Sequence, residues 1–238
     1  MANNLTAETV HQQFLSLANP EIAEHSQRFF KTGPGDYGAG DQFLGIRVPV
    51  LRKQVTRYQQ LPNDEVICLL QSPWHEERLF ALLVWVKQFQ KAPEAEQAHL
   101  YDLYLCHTQF INNWDLVDSS AYQIVGAFLA GKDRQPIYPL ARSQSLWERR
   151  IAMIATFQWI RNHDFEDALA IAKLLLHDNE DLIHKAVGWM LREIGKRDLE
   201  TEKAFLKAHY PEMPRTMLRY AIEKFPKSER QRYLKGLI

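Results

Sequence analysis

Trp114 and Asp118 stand one helical turn apart in Asn112-Asn113-Trp114-Asp115-Leu116-Val117-Asp118. Read as a helix start, Asn112 or Asn113 caps it, because a short amide oxygen takes the first free backbone N–H groups. Positions i and i+4 then stack on one face, so an indole lies beside a carboxylate. Such a pair is either a buried capping detail or half of a site for positive charge, which an aromatic face also favours. Asp115 has a simpler reading, since a first-turn carboxylate suits the positive end of the helix dipole. Two further stretches set tryptophans near cations. One is Trp147-x-x-Arg150. The other is Lys185-Ala186-Val187-Gly188-Trp189-Met190-Leu191-Arg192-Glu193, in which positions 185, 189 and 192 share a face. Gly188 in mid-helix costs about 1 kcal/mol relative to alanine and allows close approach of a neighbouring helix or a ligand. Trp147 reads as core, whereas Trp114 and Trp189 each have a charged residue one turn away.

These residues need helices to position them. Apolar residues recur at three-four spacing almost throughout, and period-two alternation is scarce. Leu5–Ala18 reads as a first helix, and Asn19-Pro20 opens a second. Residues 32–41 carry four glycines and read as a flexible surface loop. No Gly-Lys-Ser/Thr follows, so this is not a phosphate loop. A third helix follows Pro49 and carries Leu51, Arg52, Lys53, Val55 and Arg57. Further helices are predicted near 63–71, 74–91, 95–107, 113–130, 134–143, 146–161, 164–176, 180–195, 199–209, 213–224 and 227–236. Arg78, Arg150, Lys185 and Arg219 recur early in the second helix of successive helical pairs, about one or two 35-residue repeats apart. That pattern predicts an all-α, HEAT-like superhelical solenoid over 1–238 as a single domain. Its second helices would line a concave face.

Composition narrows the partners. The 238 residues are 46% hydrophobic and carry no formal net charge, which argues against a broadly basic nucleic-acid binder. The balance is uneven, however. Residues 1–119 hold 9 Lys and Arg against 14 Asp and Glu, and residues 120–238 hold 20 against 15. A polyanion is therefore expected to prefer the C-terminal half. Cys68 and Cys106 sit in apolar helical patterns and read as buried, reduced thiols. No charged leader and no run of about 18 apolar residues is present, so a soluble, cytoplasmic protein without membrane association is expected. The nine histidines form no metal-ligand set, and neither metal nor cofactor is expected.

Together, Trp114-Asp115-x-Val117-Asp118, Trp147-x-x-Arg150 and Lys185-Ala186-x-Gly188-Trp189-x-Leu191-Arg192-Glu193 resemble the AlkD family of DNA alkylation repair proteins, HEAT-like-repeat DNA glycosylases. The resemblance runs from the second helix, through Leu44-Gly45-Ile46-x-x-Pro49 and Arg52, to the Trp189 region. It implies a C-shaped all-α solenoid holding duplex DNA in its concave face. The implied reaction is hydrolysis of the N-glycosidic bond of cationic alkylated purines, such as N3-alkyladenine and N7-alkylguanine, with the lesion left stacked. Trp114, Asp118 and Trp189 match the family's catalytic cluster. Arg150 matches its DNA-backbone arginine. Arg47, Arg52, Lys53, Lys185, Arg192 and Phe29 complete the expected DNA-contacting set. Phe29 stands where the family has a tyrosine and Val48 where it has a threonine, so two hydroxyls are missing. The implied partner is double-stranded DNA carrying alkylated purines, bound by a monomer.

The implied chemistry suits these residue types. An alkylated purine is already a cationic leaving group, and the breaking bond puts positive charge on the deoxyribose. Asp118 would stabilise that charge and orient a water. The indoles would face the sugar, and Arg150 would fork onto a phosphate. Two other readings stand beside this one. A noncatalytic member would bind damaged or branched DNA. A protein-interaction solenoid is the commonest use of such repeats.

Overall fold

Short polar caps and prolines set where the helices begin. Thr6 accepts the Thr9 N–H at 3.2 Å ahead of α1 (Ala7–Leu15). Asn19 accepts the Ile22 N–H at 3.1 Å ahead of α2 (Pro20–Phe29). Pro20 occupies the first helical position, where its missing N–H leaves no bond unmade. The computed structural model describes residues 5–238. Among them the only sheet-like pairing is an isolated bridge between Gln42 and Trp74. The all-helical, helix-on-helix repeat architecture expected from the periodicity is what the chain forms.

The described chain packs as two compact units, Met1–Ser120 and Ala121–Ile238. A repeat array is compatible with such a division, because each repeat packs mainly on its neighbours.

In the first unit, α3 (Val48–Tyr58), α4 (Asn63–Leu70), α6 (Glu94–Cys106) and the short α7 (Trp114–Asp118) all pack on α5 (His75–Phe89). Residues Leu79–Val86 of α5 are buried without a break. A helix that is apolar on every side belongs inside a core rather than on its edge. Phe80 meets Phe14 edge-on at 5.1 Å, and the Trp85 indole N–H donates to Asn63 Oδ1 at 3.1 Å.

The second unit is built on α12 (Asp181–Gly195). It also contains α8 (Ile137–Ala141), α9 (Leu146–Ala155), α10 (Phe157–Ile160), α11 (Glu166–Leu174), α13 (Leu199–His209), α14 (Arg215–Ala221) and α15 (Lys227–Lys235). Helices α9, α13 and α14 pack directly on α12. Gly188 makes the α14 contact possible, since a Cβ there would strike the Met217 carbonyl. The close approach expected of this glycine is therefore to a helix.

Three sequence expectations need correction. The helix expected over 113–130 breaks after Asp118. Ser119 and Ser120 donate their hydroxyls to the carbonyls of Asp115 and Leu116, at 2.5 and 2.6 Å. Such back-bonding competes with the helical ladder, and a π-helical stretch, Tyr122–Gly126, follows. The helix expected over 146–161 divides at Thr156, whose hydroxyl donates to the Met153 carbonyl at 2.7 Å. Cys68 and Cys106 are exposed rather than buried, because they lie off the packed stripes of α4 and α6. The glycine-rich loop is tied at its end, where Asp41 is buried among charged partners.

Candidate functional site

Asn113 is the cap of α7. Its side-chain oxygen accepts the Trp114 N–H at 2.8 Å, and its amide donates to Asp41 Oδ2 at 3.2 Å. The cap thus also anchors the helix start to the end of the glycine-rich loop. Trp114 and Asp118 follow on this short helix, both half-buried. The Trp114 ring stacks on Phe30 at 5.3 Å and meets Phe29 edge-on at 5.9 Å. Phe29 is 57% exposed, so an apolar ring stands in water beside the indole. Behind α7, the Tyr104 hydroxyl pairs with Ser120 Oγ at 2.9 Å. Burial, and secondarily the Asp118 charge, raise the Tyr104 pKa well above its ordinary value, so the phenol stays neutral.

The part of the site that sequence reasoning missed centres on His75. Its ring is 2% exposed and lies between two carboxylates, with Nδ1 3.1 Å from Asp41 Oδ2 and Nε2 2.8 Å from Asp115 Oδ2. Arg78 closes the cluster, donating to Asp41 Oδ1 at 2.6 Å. Phe30 and Phe43 flank the imidazole at 4.8 and 4.7 Å. Burial alone would lower the His75 pKa, but the Asp115 charge and the two carboxylate hydrogen bonds raise it to about 9. The ring is therefore an imidazolium at neutral pH. Burial also pulls the Asp41 pKa upward, yet the His75 hydrogen bond and the Arg78 charge hold it below the usual carboxylate range.

One residue along, the Glu76 carboxylate accepts three backbone N–H bonds, from Leu44 at 2.9 Å, Gly45 at 2.8 Å and Ile46 at 3.1 Å. Gly45 has φ +81°, and any Cβ there would strike the Asn19 carbonyl. This clamp fixes the entry to α3, where Arg47, Arg52 and Lys53 are exposed. The signal for the missed cluster was the run His75-Glu76-Glu77-Arg78 in the first turn of a helix whose next eight residues are all apolar. All four residues are at most 6% exposed. Buried charges require partners; Asp41, Asp115 and residues 44–46 supply them for His75, Arg78 and Glu76, and His11 and Ser72 for Glu77.

In the second unit, Lys185 pairs with Asp181 at 2.7 Å, and Arg192 pairs with Glu223. The Trp189 indole donates to Glu193 Oε1 at 3.3 Å and lies 6.1 Å from Phe157. Arg150 is 4% exposed, and its Nη1 donates to the Leu182 carbonyl at 2.5 Å, joining α9 to α12. Arg78, another member of the expected cation series, is equally buried. Among the described residues, no three His, Cys, Asp or Glu side chains converge so as to hold a metal. No helix among them is long and apolar enough to cross a membrane.

Residues 10–225 match the family model described as DNA alkylation repair enzyme. The chain belongs to that family. A solved structure described as a predicted DNA alkylation repair enzyme from Enterococcus faecalis superposes with TM-score 0.66. It is 17% identical, and the match covers 88% of this chain and 97% of that one. At that identity the likeness concerns the fold. No curated protein matches this DNA alkylation repair enzyme family member closely enough to add to the comparison. Family membership makes DNA the expected partner and repair of alkylated DNA the expected role.

Proposed function

We propose that this protein is a monofunctional DNA glycosylase that hydrolyses the N-glycosidic bond of cationic alkylated purines, N3-alkyladenine and N7-alkylguanine, in duplex DNA. The observation that carries the reading is the half-buried pair Trp114 and Asp118, held one turn apart on an anchored helix start with the exposed Phe29 ring against the indole. A carboxylate in that setting stabilises positive charge developing on a deoxyribose and orients water for attack. The aromatic faces of Trp114 and Phe29 suit the sugar and the cationic base.

In this reading the clamp of His75, Asp41 and Asn113 positions α7, and Asp118 does the chemistry. The lesion stays stacked and is approached from the backbone side. Exposed Arg47, Arg52 and Lys53 hold phosphates of the duplex. Within the second unit, this reading keeps Trp189 in the catalytic role and Lys185 and Arg192 in phosphate contact, and it leaves Arg150 as the link from α9 to α12. The protein works as a monomer, in the cytoplasm, without cofactor or metal.

The direct test is release of methylated bases from duplex DNA treated with a methylating agent, with a chelator present. Release of N3-methyladenine and N7-methylguanine is expected. Their retention at high enzyme excess would overturn the reading.

A further inference from the structure

In the second unit, Glu202 of α13 is 2% exposed, and its Oε1 has no hydrogen-bond partner. Its carboxyl packs against Gly195 of α12, where any Cβ would strike Glu202 Oε2. The bare backbone at Gly195 makes room for a carboxyl group whose Oε1 stays unbonded. A buried polar atom left so costs about 1–3 kcal/mol, and native folds hold few of them. Glu202 lines a cavity of about 170 Å³ between α12, α13 and the chain from Lys224 to Glu229. A second buried and unbonded atom, Arg192 Nε, belongs to a residue of the same wall.

The other charged groups at this cavity are matched already. Lys196 bonds Glu193 at 2.5 Å, Lys224 meets Glu223 at 3.1 Å, Glu229 meets Lys203 at 3.1 Å, and Arg192 gives its Nη1 to Glu223. The Glu202 carboxyl and the Arg192 Nε–H are what a ligand can use. Burial raises the Glu202 pKa to about 8; Arg192 and Lys203 pull it down, and Glu229 pushes it up. The group is therefore a neutral acid at pH 7, with an O–H to donate. Two donors at one cavity call for a ligand with two acceptor oxygens, which a carboxylate has. With Glu202 neutral, Arg192, Lys196, Lys203 and Lys224 outnumber Glu193, Glu223 and Glu229, and Arg197, also on Glu193, adds to the surplus. An anion is drawn to such a surplus. Leu199, Phe225 and Pro226 give the cavity an apolar wall, which suits a short hydrocarbon tail.

We propose that this cavity binds a short-chain monocarboxylate, one oxygen accepting from the Glu202 carboxyl and the other from Arg192 Nε, with its tail against Leu199, Phe225 and Pro226. The site lies within the second unit and does not rest on the glycosylase reading. Only the Nε of Arg192 is used, so its outer nitrogens keep their other contacts. The bond from Glu202 exists while that group holds its proton; once ionised, it would set two carboxylates against each other. Binding is therefore full at pH 6.5 and falls as pH rises through 8. The groups facing Glu202 are Arg192 and Lys196 of α12, Lys203 of its own helix, Lys224, and Glu229 and Tyr233 of α15. Side chains of these types ordinarily titrate outside that window.

The test is calorimetric titration of the full chain with sodium butyrate at pH 6.5 and pH 9, with butylammonium chloride and inorganic phosphate as comparison probes. Butyrate is expected to bind at pH 6.5 and to bind about tenfold more weakly at pH 9. Glu202→Gln keeps the size of the side chain and a donor, an amide N–H in place of the O–H. It is expected to bind butyrate equally at the two pH values. Leu199→Trp, at an exposed position on the cavity wall, is expected to weaken binding at least about tenfold whether or not Glu202→Gln folds. No butyrate binding at tens of millimolar would overturn the proposal and leave the cavity to water. So would equal binding of butylammonium, or phosphate bound in preference to butyrate. Equal butyrate affinity of the wild type at the two pH values would remove Glu202 from the site and overturn it too. The same loss at pH 9 in Glu202→Gln, or unchanged binding in Leu199→Trp, would do likewise.

Discussion

The His75 ring nitrogen Nε2 lies 2.8 Å from Asp115 Oδ2, forty positions along the chain. Through this bond the first turn of α5 holds the first turn of α7, and the second ring nitrogen extends the hold to Asp41. Removing the histidine would leave two carboxylates facing each other with only Arg78 and Asn113 between them. Breaking a buried ion pair from one side typically costs about 3–5 kcal/mol. His75→Gln is therefore expected to lower unfolding free energy by that order, measured by urea denaturation at pH 7. A change below about 1 kcal/mol would mean that the cluster behaves like a surface pair.

The same bond gives a pH dependence with a definite sign. The folded pKa of His75, about 9, lies above the ordinary 6.5. Its contribution is complete below pH 6.5, declines as pH rises, and is gone above pH 9. Glu202 acts in the same direction over a lower range, because burial raises its pKa from 4.5 to about 8. Subtraction separates the two. The stability gap between wild type and His75→Gln is expected to narrow between pH 6.5 and pH 9. A gap constant across that window would show that His75 is not protonated in the folded state.

The α12–α14 contact is tight at Gly188, where an added Cβ would meet the Met217 carbonyl and the Tyr220 Cβ. Alanine is the better helix former, so propensity alone predicts a gain of about 1 kcal/mol for Gly188→Ala. Overpacking against backbone typically costs about 1–3 kcal/mol and should win. A lowered thermal midpoint is expected, and a raised one would mean that the two helices separate at little cost.

Arg47, Arg52 and Lys53 are exposed, whereas Arg150 is buried against a carbonyl. Removing a side chain that neutralises one phosphate should reduce the salt slope of duplex binding by about 1. Arg52→Ala and Lys53→Ala are expected to show this reduction without loss of stability. Arg150→Ala is expected to lower stability by about 1–3 kcal/mol through loss of the buried tie between α9 and α12, with the slope little changed. A slope reduced by Arg150→Ala at wild-type stability would restore the phosphate role that its resemblance implies.

Much of the architecture was legible in the sequence because it depends on local signals. Asn19-Pro20, Asn113 and the three-four periodicity each act within a turn or two, and the helices start where those residues stand. The one-turn spacing of Trp114 and Asp118 was equally local. Two kinds of feature were hidden. Ser119, Ser120 and Thr156 read as ordinary helical residues until their hydroxyls are seen taking backbone carbonyls. The His75 cluster joins positions 34 and 40 residues apart, and no periodicity encodes such a pairing. The even spacing of Arg78 and Arg150 suggested a ladder of DNA contacts, but spacing says nothing of burial, and both guanidiniums point into carbonyls.

The most direct measurement is the rate of methylated-base release from duplex DNA by wild type and Asp118→Asn, in the presence of EDTA. Asn keeps the size of the side chain and removes its charge. Asp118→Asn is expected to fold and bind DNA like wild type and to release base at least about 100-fold more slowly. Equal rates for the two proteins would contradict a mechanism centred on Asp118.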